Sequence, residues 1–192
     1  MAALVLVILC VFPAGCKKLK SKLHPRAHQP PNYSEFMFDF YAAAKENKGN
    51  IIVSPLSVDQ GLMLVYAGAR GETAAEMEKA LRLNPAAGDV HKARGKILED
   101  LAGRGGEGNF TLVIANRLWP QKGVALLPDY LSLVKKNYGA AVKPLDFTGK
   151  PKESADEINE WISDETRGKI GSMVTPDMFG PQTLVLTNAV YF

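Results

Sequence analysis

Beyond residue 16 the chain contains no cysteine; its two, Cys10 and Cys16, both lie near the N-terminus. A body without thiols has no disulfide framework, no thiolate zinc site and no cysteine nucleophile. Histidine is nearly as scarce. His24 and His28 fall in a basic, proline-containing stretch, and His91 opens a predicted surface helix. His24 and His28 have no C-x2–4-C pair to complete a zinc set, and no serine sits in a G-x-S-x-G elbow. Hydrolytic chemistry, a metal site and a cofactor are therefore not expected. Gly103, Gly105 and Gly108 do spell G-x-G-x-x-G. A helix precedes them and a strand follows, the reverse of a dinucleotide site, so they read as a flexible turn.

Acidic residues are absent from residues 1–31, which carry Lys17, Lys18, Lys20, Lys22 and Arg26. All 20 acidic residues follow, so the formal charge of +3 belongs to a tail and the remainder is slightly acidic. That distribution gives no reason to expect a nucleic-acid partner.

What is present is a chain of 192 residues, 46% hydrophobic and 22% charged, enough for one domain with a sizeable core. Ala2 to Phe12 form an apolar run of the length of a signal h-region, followed by the small residues Ala14 and Gly15. Residues 1–16 are thus expected to be a signal peptide. The alternative is a lipoprotein signal with Cys16 as the lipidated acceptor, the one route to a membrane. Residues 17–31 read as a basic, proline-containing linker and residues 32–192 as the folded body. Asn32-Tyr33-Ser34 and Asn109-Phe110-Thr111 are glycosylation sequons.

Within the body, Phe36, Phe40, Ala43 and Ala44 recur at helical spacing, and Ile51–Val53 reads as a short strand. Ser54-Pro55 opens a second helix as N-cap and first helical residue. That helix, to about Ala69, is apolar on nearly every side, and Gly61 and Gly68 suggest close backbone packing. Thr73 and Glu76 spell a capping box for a third helix, and a fourth is expected from Asp89 to Leu101. Phe110–Leu118 alternates as a strand, Pro128 opens a fifth helix, and Ala140–Phe147 reads as another strand. A sixth helix covers residues 153–167 with Gly168 as its cap. Helices with interspersed strands and no regular βαβ alternation predict an α+β fold.

Thr183–Phe192, "TLVLTNAVYF", is an apolar strand holding one asparagine. Such strands lie in the middle of a sheet with both faces covered. The expectation is therefore a fold interrupted at this strand, leaving an open apolar edge prone to aggregation.

Four blocks, "NIIVSPLSV" (50–58), "GARGETAAEMEKAL" (68–81), "INEWISDETRGKI" (158–170) and "LVLTNAVYF" (184–192), resemble the serpin family in order and spacing. The resemblance spans Tyr33 to Phe192. It implies helices A to F, strand 6B, and strands 2A, 1A and 3A of the large mixed sheet, ending within strand 3A. It also implies that strand 5A, the hinge and the reactive-centre loop, with its scissile bond, are absent. In that family a protease cleaves the loop, which inserts as a new strand and carries the acyl-enzyme with it. An exported inhibitor of a serine protease, or alternatively of a cysteine protease, is the function implied. A non-inhibitory carrier or chaperone-like member and an inactive truncated product are the alternatives.

Ser54, Ser57 and Asn188 match positions of the family's shutter, where the sheet parts. Buried polar groups there need partners, each unmet one costing ~1–3 kcal/mol. Whether they bond to one another or only to local backbone is open at this level. Lys92 and Lys96 share a helix face with Arg94 to one side, but Asp89, Glu99 and Asp100 dilute it, so glycosaminoglycan binding is not expected.

Overall fold

A computed structural model describes residues 3–10, 35–46, 49–107, 111–180 and 184–191. Cys16, the linker with His24 and His28, and the asparagines of both sequons lie outside these residues. In chain order the elements are β1 (Ala3–Cys10), α1 (Glu35–Ala44), α2 (Pro55–Gly68), α3 (Gly71–Ala80), α4 (Val90–Glu107), β2 (Val113–Pro120), α5 (Pro128–Tyr138), β3 (Ala141–Val142), α6 (Pro151–Glu165) and β4 (Leu184–Tyr191). The strands form one mixed sheet in the order β1-β4-β2-β3, antiparallel except for the β2–β3 pair.

Alternation along β2 and β4 decides the layers. Trp119, Val185 and Ala189 face α6, in a core with Ile158, Trp161 and Ile162. Leu118 and Leu186 face the other way, against Met63 and Leu64 of α2 and Val134 and Tyr138 of α5. Because helices cover both faces, β4 is buried from Val185 to Tyr191 and reads as a continuous apolar run. The Trp119 and Trp161 rings meet edge to face with centroids 5.8 Å apart, fixing α6 on its face of the sheet.

The expected open edge on β4 is not observed. β1 pairs with it over its whole length, Ala3 opposite Tyr191 through Cys10 opposite Leu184. The apolar run that reads as an export segment is also a good strand former, and eight extended residues satisfy the β4 edge.

Several local readings are also corrected. Ile51–Val53 is not a strand, and Ile52 is 85% exposed. β3 is two residues long, and beyond it Leu145 pairs with Gln121 only as an isolated bridge while its side chain joins the Trp119 core. The helix with Thr73 and Glu76 starts at Gly71, so those residues lie inside its first turns and no side chain caps it. Arg70, in extended conformation, holds the N-cap position, and Gly71 has φ +57°. α4 runs on to Glu107, so Gly103 and Gly105 extend a helix rather than a turn. α6 ends at Glu165, and both Arg167 and Gly168 take positive φ beyond it. The loop that follows is pinned by Asn159, whose Oδ1 accepts from the Met173 and Val174 N–H groups at 2.8 and 3.0 Å.

Gly68 does not make the close approach expected of it, and Gly95 does. A Cβ on Gly68 would touch the Tyr130 ring at an ordinary 3.5 Å, whereas one on Gly95 would lie 2.7 Å from the Asn137 carbonyl oxygen. The approach of α4 to α5 thus depends on Gly95. Gly95→Ala is expected to cost ~1–3 kcal/mol in denaturant unfolding through overpacking. Gly103→Ala, which meets nothing within 4 Å, is expected to stabilise α4 by ~0.5–1 kcal/mol.

Candidate functional site: an amide cluster at the sheet centre

Helix α2 starts where Ser54 caps it, its Oγ accepting from the Ser57 N–H at 3.2 Å while Pro55 takes the first helical position. One turn in, Ser57, Gln60 and Leu64 follow at helical spacing, and all are at most 1% exposed. This face looks onto β2 and β4, where Asn116 stands directly opposite Asn188 in the register.

The three amides form one cluster. Asn188 Nδ2 donates to Asn116 Oδ1 at 2.9 Å and to Gln60 Oε1 at 3.1 Å. Asn116 Nδ2 donates to the same Gln60 oxygen at 3.1 Å and to the Tyr138 carbonyl at 3.0 Å. Two strands, α2 and the end of α5 are thereby tied at one point. Asn188 Oδ1 and Gln60 Nε2 have no hydrogen-bond partner among the described residues. Each unmet group costs ~1–3 kcal/mol, so the cluster holds the sheet together without reaching its full bonding capacity.

A second polar layer lies behind it. Arg94 of α4 grips Asp59 of α2 with Nε and Nη2, both at 2.9 Å, and the two residues are 4% and 0% exposed. Burial pushes the Asp59 carboxyl above its ordinary value, and the guanidinium beside it pulls it back. Tyr138 presents its hydroxyl to His91 Nδ1 at 2.7 Å. Burial holds the His91 ring below its ordinary pKa, partly countered by Asp89. Burial, then the Asp59 charge, raise the Tyr138 phenol, which stays protonated.

The expected site residues divide into two groups. Ser54 and Ser57 are joined to each other, Ser57 Oγ donating to Ser54 Oγ at 2.9 Å, and this contact is local. Asn188 is engaged by Gln60 and Asn116 rather than by either serine. Sequence reasoning missed Gln60, Asn116, Asp59 and Arg94. Asp59 and Gln60 had a usable signal: polar residues inside a helix otherwise apolar on every side. Arg94, expected beside the Lys92–Lys96 face, turns inward, and His91 is half-buried rather than on a surface helix.

Helices packed on both faces of one mixed sheet, α6 on one and α2 and α5 on the other, define an α+β protein whose centre is fastened by side-chain amides. The chain belongs to the serpin family: the model of that family, described as serine protease inhibitor, matches residues 31–192. An uncharacterized serpin-like protein of Thermococcus kodakarensis is 41% identical over 161 residues, which cover 83% of this chain and 37% of that protein. The human leukocyte elastase inhibitor is 35% identical over 162 residues, covering 83% of this chain and 42% of the inhibitor. Among solved structures, emu (Dromaius novaehollandiae) ovalbumin superposes with a TM-score of 0.69 at 27% identity, over 82% of this chain and 44% of that one. The chain thus spans about two fifths of the length of these relatives.

Two outcomes follow from this geometry. Asn188→Ala leaves Asn116 Oδ1 without its donor beside a small cavity and is expected to cost ~2–4 kcal/mol in chemical unfolding. Ser54→Ala loses the cap and the acceptor of the buried Ser57 hydroxyl, ~1–3 kcal/mol. Because the two clusters share no bond, the double variant should equal the sum of the singles within ~0.5 kcal/mol.

The second outcome concerns pH. The unfolded chain takes up a proton at His91 near pH 6.5, whereas the folded chain does so only at lower pH. Stability is therefore full above that value and falls as pH drops towards the folded pKa. In urea titrations between pH ~7.5 and ~5, His91→Phe should flatten this dependence. An unchanged slope would show that the ring is not responsible.

Proposed function

We propose that this chain is the scaffold portion of a serpin that inhibits a serine protease by loop insertion. The observation that carries the reading is the 35% identity to leukocyte elastase inhibitor over 162 residues. The amide cluster supports it. A sheet that parts to admit a strand needs polar groups that hold it closed and then find new partners. Asn188, Asn116 and Gln60 are of that kind, with spare bonding capacity at the Asn188 oxygen and the Gln60 nitrogen. In this reading Asn188, with Ser54 and Ser57 at the start of α2, are conformational residues and not catalytic ones. The protease partner meets residues outside this chain, and export rests on the apolar leader, with lipidation at Cys16 as its alternative.

The test extends the reading frame past Phe192 to the length of the relatives and challenges that protein with an elastase-type serine protease. A complex of the two chains that survives boiling in SDS is expected. Cleavage without a trapped complex, and without a rise in Tm of the cleaved protein, would overturn the inhibitory reading. The 192-residue chain by itself should form no such complex.

A further inference from the structure

We propose that the cavity between α4 and β2 binds a single-chain amphiphile with an anionic head, of which a medium-chain carboxylate is the simplest case. The cavity walls and their charges carry this, independently of the inhibitor reading.

Three elements build the site. The cavity holds about 520 Å³, within the range of ~300–1,000 Å³ that small-molecule sites occupy. One wall is a face of α4 with Lys92, Lys96, Glu99 and Ala102 at helical spacing. Ile114 and Asn116 of β2 form the facing wall, and the last turn of α5 closes one end. That end is tight, because α4 and α5 touch where Gly95 meets the Asn137 carbonyl.

The lining selects the ligand. Leu98, Ala102 and Ile114 supply apolar surface. Asn116 already spends both Nδ2 protons, on Gln60 and on the Tyr138 carbonyl. It has no N–H left for an anion, so an acid group gains nothing by lying against the sheet. The cations stand at the rim. Lys92, Lys96 and Lys136 are exposed and have no ion-pair partner among the described residues. Glu99 is the sole acid in the lining, so positive charge is in excess. A lysine can cover apolar surface with its stem while its ammonium meets a headgroup in water.

These two features together fix the class. An extended polyanion would meet the lysines and leave the cavity unfilled. A neutral apolar molecule would fill the cavity and leave the lysines unused. An amphiphile with an anionic head uses both, its head at the rim and its tail over Leu98 and Ile114.

Calorimetric titration with decanoate below its micelle concentration tests this. It is run on the 192-residue chain and on the protein extended past Phe192 to the length of the relatives. Saturable one-to-one binding to both is expected, at least about tenfold tighter than that of decyltrimethylammonium, which has the same tail and the opposite charge. Butanoate, which keeps the head and loses most of the tail, should bind at least about tenfold more weakly than decanoate. Ala102→Trp places a large side chain in the cavity from an exposed position and should weaken decanoate at least about tenfold. Lys92→Glu/Lys96→Glu should remove the preference for the anionic head. No saturable binding, equal affinity for the two heads, or unchanged affinity in Ala102→Trp would overturn the proposal. Binding to the 192-residue chain that disappears in the longer protein would also overturn it, since the cavity would then seat another part of the protein.

A second measurement needs no variant. At saturating decanoate, amide exchange in residues 95–102 and 114–116 should slow at least about tenfold while α6 is unchanged. Protection confined to other elements would place the ligand elsewhere and overturn the assignment.

Discussion

Burial of β4 on both faces is the constraint on which the rest depends. Every residue from Val185 to Tyr191 must find either apolar neighbours or internal hydrogen-bond partners. Two of them are polar and point to opposite faces. Thr187 accepts from the Trp119 indole N–H at 3.0 Å and donates to the Arg117 carbonyl at 3.3 Å. Asn188 finds Asn116 and Gln60. Each choice then fixes a further element, because Trp119 seats α6 and Gln60 aligns α2.

The same constraint sets the register. A slip of one residue would turn Asn188 into the Trp119–Trp161 core and bring Thr187 to the amide face. Neither side chain could then meet its partners, and stranding an amide in an apolar layer costs more than repacking one methyl group there could return. The Asp59–Arg94 pair locks α2 against α4 in the same way, since removing one partner would strand a buried charge at a cost of ~3–5 kcal/mol. The sheet centre is thus held by directional bonds between a few side chains, with the apolar layers supplying bulk.

Much of this was legible in the residues. Ser54-Pro55 marked the start of α2, the 153–167 periodicity marked α6, and the apolar terminal run marked an inner strand. The errors share a cause. Thr73 and Glu76 have capping-box spacing, but α3 already begins at Gly71, with Arg70 in the N-cap position. Gly103 and Gly105 read as a turn, yet α4 continues through them because its neighbouring turns already pack on α5. Asn116, lying in a strand that alternates plausibly with or without it, gave no sign that its amide faced Asn188 across 72 positions of chain.

Local sequence determined which segments become helices, which strand lies innermost, and that polar groups in α2 and β4 would require partners. Those outcomes depend on periodicity, capping and transfer from water, all of which act over a few residues. Only the tertiary structure decided who the partners are: Gln60 and Asn116 for Asn188, Asp59 for Arg94, Tyr138 for His91, and Ala3–Cys10 for the edge of β4. Pairings of that kind depend on distances set by the packed layers, and an apolar run carries no label saying which edge, or which membrane, it will meet.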